Sequence, residues 1–337
     1  MPNAQIISPG DLLRQALSTA LEDMAARIAL PSMTQTDVHR VRRAAKRARA
    51  LARLAPADLS HLARRTRALA ARVRRMLGGA RDADVRRATL ARLRPRLGEH
   101  YDRLATALDR ADEHARARTT QKPALALTSA GAELADLIAA WRAPADIAGD
   151  GVVERAARTY RKARRGAART LAQEPRRGAA RTLAQEPRRG AARTLAQEPR
   201  RGAARTLAQD PRRRAAHATP GASADLHRWR TSVVDHEYQA ALLSACAPHL
   251  RRQAARADDL RECLGDILDL DMLAAFLRRA LAGDEADVLA LRALDGAVAR
   301  RRAKRLERAR KLARRMFDDK RGKWARACRD AMARRPR

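Results

Sequence analysis

Apolar residues recur along this chain at three- and four-residue intervals, the spacing that stacks side chains on one face of an α-helix. Nowhere do they alternate with period two over the length of a strand. Leu13, Leu17, Leu21, Met24 and Ile28 make the first stripe, opened by Ser8-Pro9-Gly10-Asp11 and closed at Pro31. A second helix is expected from Asp37 to about Ala55, with Thr36 or Asp37 as its N-cap. Its apolar face is small and smooth: Val41, Ala44, Ala45, Ala48, Ala52 and Ala55. Pro56-Ala57-Asp58 opens a third helix that Leu77-Gly78-Gly79 ends, and Asp82 and Asp84 introduce a fourth, reaching about Leu93. Further helices are expected over 98–118 and 124–142, and then over 223–246, 248–264, 269–282 and 284–317. The expected fold class is all-α, with long helices.

The polar positions carry a pattern of their own. His39, Arg42, Lys46, Arg49 and Arg53 fall on one line of the second helix, opposite its alanines, along an edge roughly 20 Å long. Such a line either faces water or holds a long anion. The same spacing returns in Arg158, Arg161, Arg165 and Arg169, and in Arg301, Lys304, Arg308, Lys311 and Arg315. On the third helix His61, Arg64, Arg72 and Arg75 share a line with a gap at Ala68. One stripe alone reads as a solvated face; four, with few acids between them, read as anion-binding surfaces.

Charge supports the second reading. The chain has 337 residues, with 73 Lys+Arg against 38 Asp+Glu, a formal net charge of +35 and a pI near 11.7. A polyanion is the expected partner: inorganic polyphosphate, nucleic acid or an anionic surface. Aromatics make up 2% of the chain, which argues against base-stacking platforms for single strands. A phosphate chain needs no base-reading groups, since Arg forks two of its oxygens and Lys follows as a mobile point charge.

Other classes find little support. Cys246, Cys263 and Cys328 form no CxxC and no disulfide framework, which points to a reducing, cytoplasmic setting. The N-terminus has no cationic lead into an apolar core, and no apolar run approaches the ~20 residues of a membrane span. A signal peptide and a membrane partner are therefore not expected. No phosphate-binding glycine loop, nucleophile elbow or HExxH is present. No catalytic residue, metal site or cofactor is expected. His39 and His227 lack neighbours at ligand spacing and read as phosphate contacts rather than metal ligands. The Asp-x-Asp pairs read as helix caps.

The two halves echo each other. Val38-His39-x-x-Arg42 returns as Leu226-His227-x-x-Arg230, and Leu77-Gly78-x-x-x-Asp82-x-Asp84 returns as Leu264-Gly265-x-x-x-Asp269-x-Asp271. The interval from His to Leu-Gly is 38 residues in the first half and 37 in the second. The duplication implies two similar helical bundles related by a pseudo-twofold axis.

These residues resemble the CHAD domain, the conserved histidine α-helical domain. His39, Arg42, Lys46, Arg47 and Arg49 match its first signature, and Leu77-Gly78 with Arg81, Asp82 and Asp84 matches the next. Tyr160 in RTYRKARR and Arg314-Arg315-Met316-Phe317 are similar to the family as well. The resemblance implies two antiparallel four-helix bundles around a basic central cavity that binds inorganic polyphosphate without catalysis. It further implies a place at cytoplasmic polyphosphate granules, near polyphosphate-metabolising proteins. On this reading the binding set is His39, Arg42, Lys46, Arg47, Arg49, Arg53, Arg72, Arg75, Arg81, Arg158, Arg161 and Arg165 with His227, Arg230, Arg301, Lys304, Arg308, Lys311 and Arg315. The second signature departs from the pattern at Thr231, Val234 and Glu237, so the second wall is expected to bind more weakly. Nonspecific nucleic-acid binding, and a phosphoanhydride-processing enzyme with His39 as phosphoacceptor, stand as alternatives.

Residues 164–211 are four near-identical copies of RRGAARTLAQEP, the last with Asp210 in place of Glu. They separate a first bundle at 8–163 from a second at 220–320, followed by a basic tail at 321–337. Each copy nets +2 and ends in Pro, so the array reads as short helical pieces or a mobile basic insertion. Slippage tolerated in a connection and a selected polyanion-binding arm both account for it. Arg42→Glu with Arg49→Glu is expected to remove most affinity while leaving helicity intact. Deleting three of the four copies is expected to leave tight polyphosphate binding nearly unchanged, measured by titration of both proteins with the same chain length; a large loss would place the ligand on the array.

Overall fold

Ser8 accepts a hydrogen bond from the Asp11 amide at 3.0 Å, and Pro9 supplies a pre-set first turn, so α1 runs Pro9–Ile28. The structure, a computed structural model, describes residues 8–30, 32–118, 123–173, 220–281 and 284–334; the side chains at 79–81, 115–118, 123–128, 173 and 220–222 are outside that description. Thr34 rather than Thr36 or Asp37 caps α2 (Gln35–Leu51). Asp37 stands at the third helical position and its carboxylate reaches back to the Thr34 amide, closing a capping box. A 3-10 turn (Ala52–Leu54) leads to α3 (Ser60–Met76), α4 (Gly79–Ala91), the one-turn α5 (Arg94–Leu97), α6 (His100–Arg118), α7 (Pro123–Arg142) and α8 (Gly149–Gln173). The second half holds α9 (Pro220–Leu243), α10 (Leu250–Ala280), α11 (Glu285–Met316) and α12 (Arg321–Ala333). No strand occurs among the described residues, so the fold is all-α.

The packing follows the apolar stripes. Leu13, Leu17, Leu21 and Met24 of α1 are fully buried, and α1, α2, α3 and α7 pack in a closed cycle. The alanine face of α2 lets its neighbours approach closely, while Trp141 of α7 donates to Thr66 Oγ1 of α3 at 2.9 Å inside the core. Helices α8, α9, α10 and α11 form a second cycle, with α12 on α8, and α2 against α9 joins the two. One apolar core runs through both cycles. A smaller core lies apart, where Leu90, Leu93, Leu97, Leu104 and Leu108 of the α4–α6 segment meet Leu270, Leu273, Leu277 and Leu294 of α10 and α11.

Helix α8 begins at Gly149, where no helix was expected, and three further segments differ from the sequence expectation for reasons visible in the structure. Helices expected over 248–264 and 269–282 are one helix, α10, because Gly265 sits inside a regular helix and ends nothing. Asp269 and Asp271 are therefore mid-helix and cap nothing. The basic tail includes a docked helix: Trp324, Ala325 and Cys328 of α12 are buried. The first repeat copy belongs to α8. Its Gly166 and Thr170 pack on α9, where a Cβ at Gly166 would fall 2.9 Å from Cδ1 of Trp229. Copies two to four lie outside the described residues.

The scarce aromatics serve the core. Tyr160 of α8 stacks on Trp324 of α12 with ring centroids 5.3 Å apart, and packs edge-on to Phe317 and to His236 of α9. Its hydroxyl donates to the Asp319 carbonyl at 2.8 Å. Tyr160 and the Met316-Phe317 pair, noted separately in the sequence, thus meet at one junction. His236 is fully buried there with no hydrogen-bond partner on either ring nitrogen, and burial pushes its imidazole down to about 4. Because that folded value lies below the ordinary 6.5, the stability from keeping the ring neutral is complete above pH 6.5 and lost as pH falls through 4. The loss is on the order of 3 kcal/mol. His236→Leu is expected to lose less stability than the unmodified protein between pH 7 and pH 4, measured by urea unfolding; parallel losses would show that the acid limb lies elsewhere.

Candidate functional site

The charged line of α2 does not face water as a unit. His39 is exposed at its start. Arg42 reaches across to α3, where Nη1 donates to the carbonyls of Arg74 at 3.1 Å and Leu77 at 2.7 Å. Those carbonyls are open because α3 ends at Met76, so a guanidinium both satisfies them and meets the negative end of the helix dipole. Two turns further on, Arg49 Nη2 lies 2.9 Å and Arg53 Nε 3.0 Å from the two carboxylate oxygens of Asp235 on α9. Asp235 is itself buried. Lys46 stands near Glu237, and Arg47 lies on a different face, in a groove with α1.

Around this line the structure gathers further cations. Arg74 of α3 is half-buried beside Arg49, Arg42 and Arg230, and its guanidinium is pushed down to about 10, first by burial and then by those like charges. Burial lowers the His227 pKa, and Arg230, Arg74 and Arg49 lower it further. Burial, followed by Arg53 and Arg64, also lowers that of Arg67. Arg42 and Arg49 from α2, Arg67 and Arg74 from α3, and His227 and Arg230 from α9 therefore share one region, with Asp235 among them. The sequence reading named Arg72 and Arg75 on α3 and missed Arg67 and Arg74. Arg72 pairs with Glu133 of α7, and Arg75 is exposed. The missed line was visible: Arg67 and Arg74 are seven residues apart, two turns of one helix face.

The repeated motif has a physical cause. A Cβ at Gly265 would fall 3.2 Å from Nη2 and 3.4 Å from Nε of Arg230, and a Cβ at Gly78 would fall 4.0 Å from Nη1 of Arg42. In both halves the Arg of the His-x-x-Arg motif lies beside the Gly of Leu-Gly; at Gly265 a side chain would crowd Arg230, whereas at Gly78 it would meet Arg42 only at ordinary contact distance. The halves differ in what the Arg meets: freed carbonyls at Leu77, a continuous helix at Gly265. Glu237 was expected to help weaken the second wall. Instead it is largely covered and lies 2.9 Å from Arg261, with burial pushing its carboxyl up to about 7. Its charge is answered before any ligand arrives.

The remaining stripes line separate surfaces. Arg158, Arg161 and Arg165 line a groove of about 380 Å³ between α8 and α9. Arg301, Lys304, Arg308 and Lys311 line one of about 550 Å³ on α11 with Arg305, and Arg315 is exposed on the same helix. Asp266 ties that surface to α4, 2.6 Å from Arg305 and 3.6 Å from Arg92. These two grooves and the α1–α2–α9 groove have no lining residue in common. A further groove, about 1100 Å³ between α6, α10 and α11, contains none of the expected residues. Arg81 lies outside the described side chains. No group of three potential metal ligands occurs among the described residues, and no described helix is long and apolar enough to cross a membrane.

A helical fold with basic tracts carried by paired His-x-x-Arg and Leu-Gly elements defines a class, and the family comparison agrees. The model of the CHAD domain matches residues 15–278, and the chain belongs to that family. Among solved structures it is similar to PptA from Streptomyces chartreusis, at 17% identity and a TM-score of 0.54, over 93% of this chain and all of the other. A search of curated proteins finds no match.

Asp235 is the countercharge on which the cluster rests. Asp235→Asn leaves Arg49 and Arg53 facing other guanidiniums and is expected to cost about 2–3 kcal/mol, below the full cost of breaking a buried pair because Arg53 reaches water. Urea unfolding at low and high sulfate checks it: the deficit should shrink with salt, and a salt-independent deficit would indicate lost packing instead. The same geometry revises the expectation for Arg42→Glu with Arg49→Glu. That pair would strip the α3 carbonyls and set a carboxylate against Asp235, so stability falls along with affinity.

Proposed function

We propose that this chain binds inorganic polyphosphate, without chemical turnover, in the cationic cluster between α2, α3 and α9. The observation that supports this most is the crowding itself: Arg74 is half-buried among Arg42, Arg49 and Arg230, close enough for their charges to lower its pKa. Like charges held together in a partly dry site are a cost to the fold, and a multivalent anion removes it. Membership of the CHAD family points the same way. Phosphate oxygens would accept from Arg74, Arg49 and Arg230, with Lys46 and His39 along the rim. Association would weaken steeply with salt as counterions cease to be released. A cytoplasmic protein carried on polyphosphate granules, beside polyphosphate-metabolising proteins, fits this role.

His227 adds a pH dependence with a definite sign. Burial and the neighbouring arginines hold its pKa below the ordinary 6.5 in the free protein, and a bound anion favours its protonated form. Binding therefore takes up protons, and affinity rises as pH falls through the histidine range.

Arg74→Gln separates a binding role from a structural one. It is expected to weaken polyphosphate binding at least tenfold and to raise the thermal midpoint of the free protein, because one of the crowded charges is gone. Titration calorimetry and thermal melts at two salt concentrations check both. A lowered midpoint with unchanged affinity would make Arg74 a structural residue and remove the proposal. Competition distinguishes nucleic acid, since short polyphosphate should displace DNA readily and DNA should displace long polyphosphate poorly. Release of phosphate from polyphosphate or nucleotides would establish the enzymatic alternative.

A further inference from the structure

Helices α2 and α9 are basic on two sides. At about 100° per residue, Arg40, Arg43 and Arg47 lie across α2 from Arg42, Arg49 and Arg53. By the same geometry Arg228 and Ser232 lie across α9 from His227 and Arg230. Each rear side forms one wall of a groove. The groove behind α2, about 470 Å³, is completed by α1 and by Glu237, Tyr238, Ala241 and Leu242 of α9; the one behind α9, about 380 Å³, is completed by α8. The two correspond by sequence as well. Arg228 follows Arg40, and Ser232 follows Ala44, by the same interval that separates His227 from His39.

Their charge is only partly consumed internally. In the α2 groove Arg27 is tied to Asp37, and the carboxylates present are Asp23 and Glu237, the latter paired with Arg261. In the α8–α9 groove Asp225 is held by Arg228 at 2.6 Å and lies 3.7 Å from Arg169. Among the described residues, Arg40, Arg47, Arg161, Lys162 and Arg165 are paired with no carboxylate.

We infer that these two rear grooves are additional oligophosphate sites, and that the protein bridges separate polyphosphate chains, or distant stretches of one chain. The inference rests on the polyphosphate reading of the central cluster. A helix with side chains is about 10–12 Å across, so a short chain seated on one side of α2 or α9 cannot also occupy the other. A second phosphate segment fills the rear groove, and the effective concentration created by the first contact favours capture of the next. The consequence is cross-linking: long chains are drawn into clusters, short ones saturate the sites separately.

Two ligands and one variant of the full chain test this. Calorimetric titration with tripolyphosphate is expected to give more than one bound per protein. Long-chain polyphosphate is expected to raise light scattering sharply when chains are fewer than proteins. Arg40→Gln, Arg43→Gln, Lys162→Gln and Arg228→Gln together remove rear-groove charge and are expected to lower the tripolyphosphate stoichiometry towards one. They should also cut scattering at least fivefold, while long chains still bind. Circular dichroism identical to the parent shows the variant folded; if it is not, the two paired variants, Arg40→Gln with Arg43→Gln and Lys162→Gln with Arg228→Gln, each carry half of the expected loss. One tripolyphosphate per unmodified protein, or undiminished scattering in the folded variant, overturns the bridging inference while leaving the central site standing. No binding of either ligand overturns the polyphosphate reading itself.

Discussion

The structure is governed by mutual repulsion among its guanidiniums, and above all by how the fold contains it between α2, α3 and α9. Arg42 is held by main-chain carbonyls at the end of α3, and Arg49 and Arg53 by a single buried carboxylate, Asp235. Arg74 is left half-buried beside Arg49, Arg42 and Arg230. Both devices come from elements outside α2. The charged edge can exist only where α3 ends beside it and α9 crosses it, which ties the site to the junction of the two helical cycles.

Apolar packing works within that constraint. Alanine faces let α1, α2 and α9 lie close enough for short-range neutralisation, and the few large aromatics are placed at junctions: Trp141 between α7 and α3, Trp229 between α9 and α8, and Tyr160 with Trp324 and Phe317 where α8, α11 and α12 meet. Asp112 and Arg86 form a second buried pair under the smaller core, with Phe276 4.0 Å from the guanidinium carbon. Burying charge in this way confers little net stability.

Much of the fold was legible because helix signals are local. Ser8-Pro9, the stripe of α1 and the breaks at Gly78 and Pro95 depend on neighbouring residues, and the helices follow them within a few positions. What was not legible depended on partners distant in sequence. Gly265 looks like Gly78 in one dimension; only the continuous helix around it shows that it makes room for Arg230 rather than ending α10. The basic composition of 321–337 hid a helix because the pocket for Trp324 is built by Tyr160 and Gln253. In the site, the α2 stripe was read correctly as a line but not as a line already partly engaged, since Asp235 lies 186 residues from Arg49. Glu237 was read by its charge, although burial and Arg261 decide how much of that charge is expressed.

The first repeat copy has a consequence for how such a protein varies over generations. Gly166 and Thr170, in that copy, pack the end of α8 on α9, so the fold draws on the first copy of the array. Each later copy repeats the letters and adds two net positive charges. Gain or loss of one later copy therefore changes the net charge in a step of two, and leaves the first copy's contact with α9 untouched.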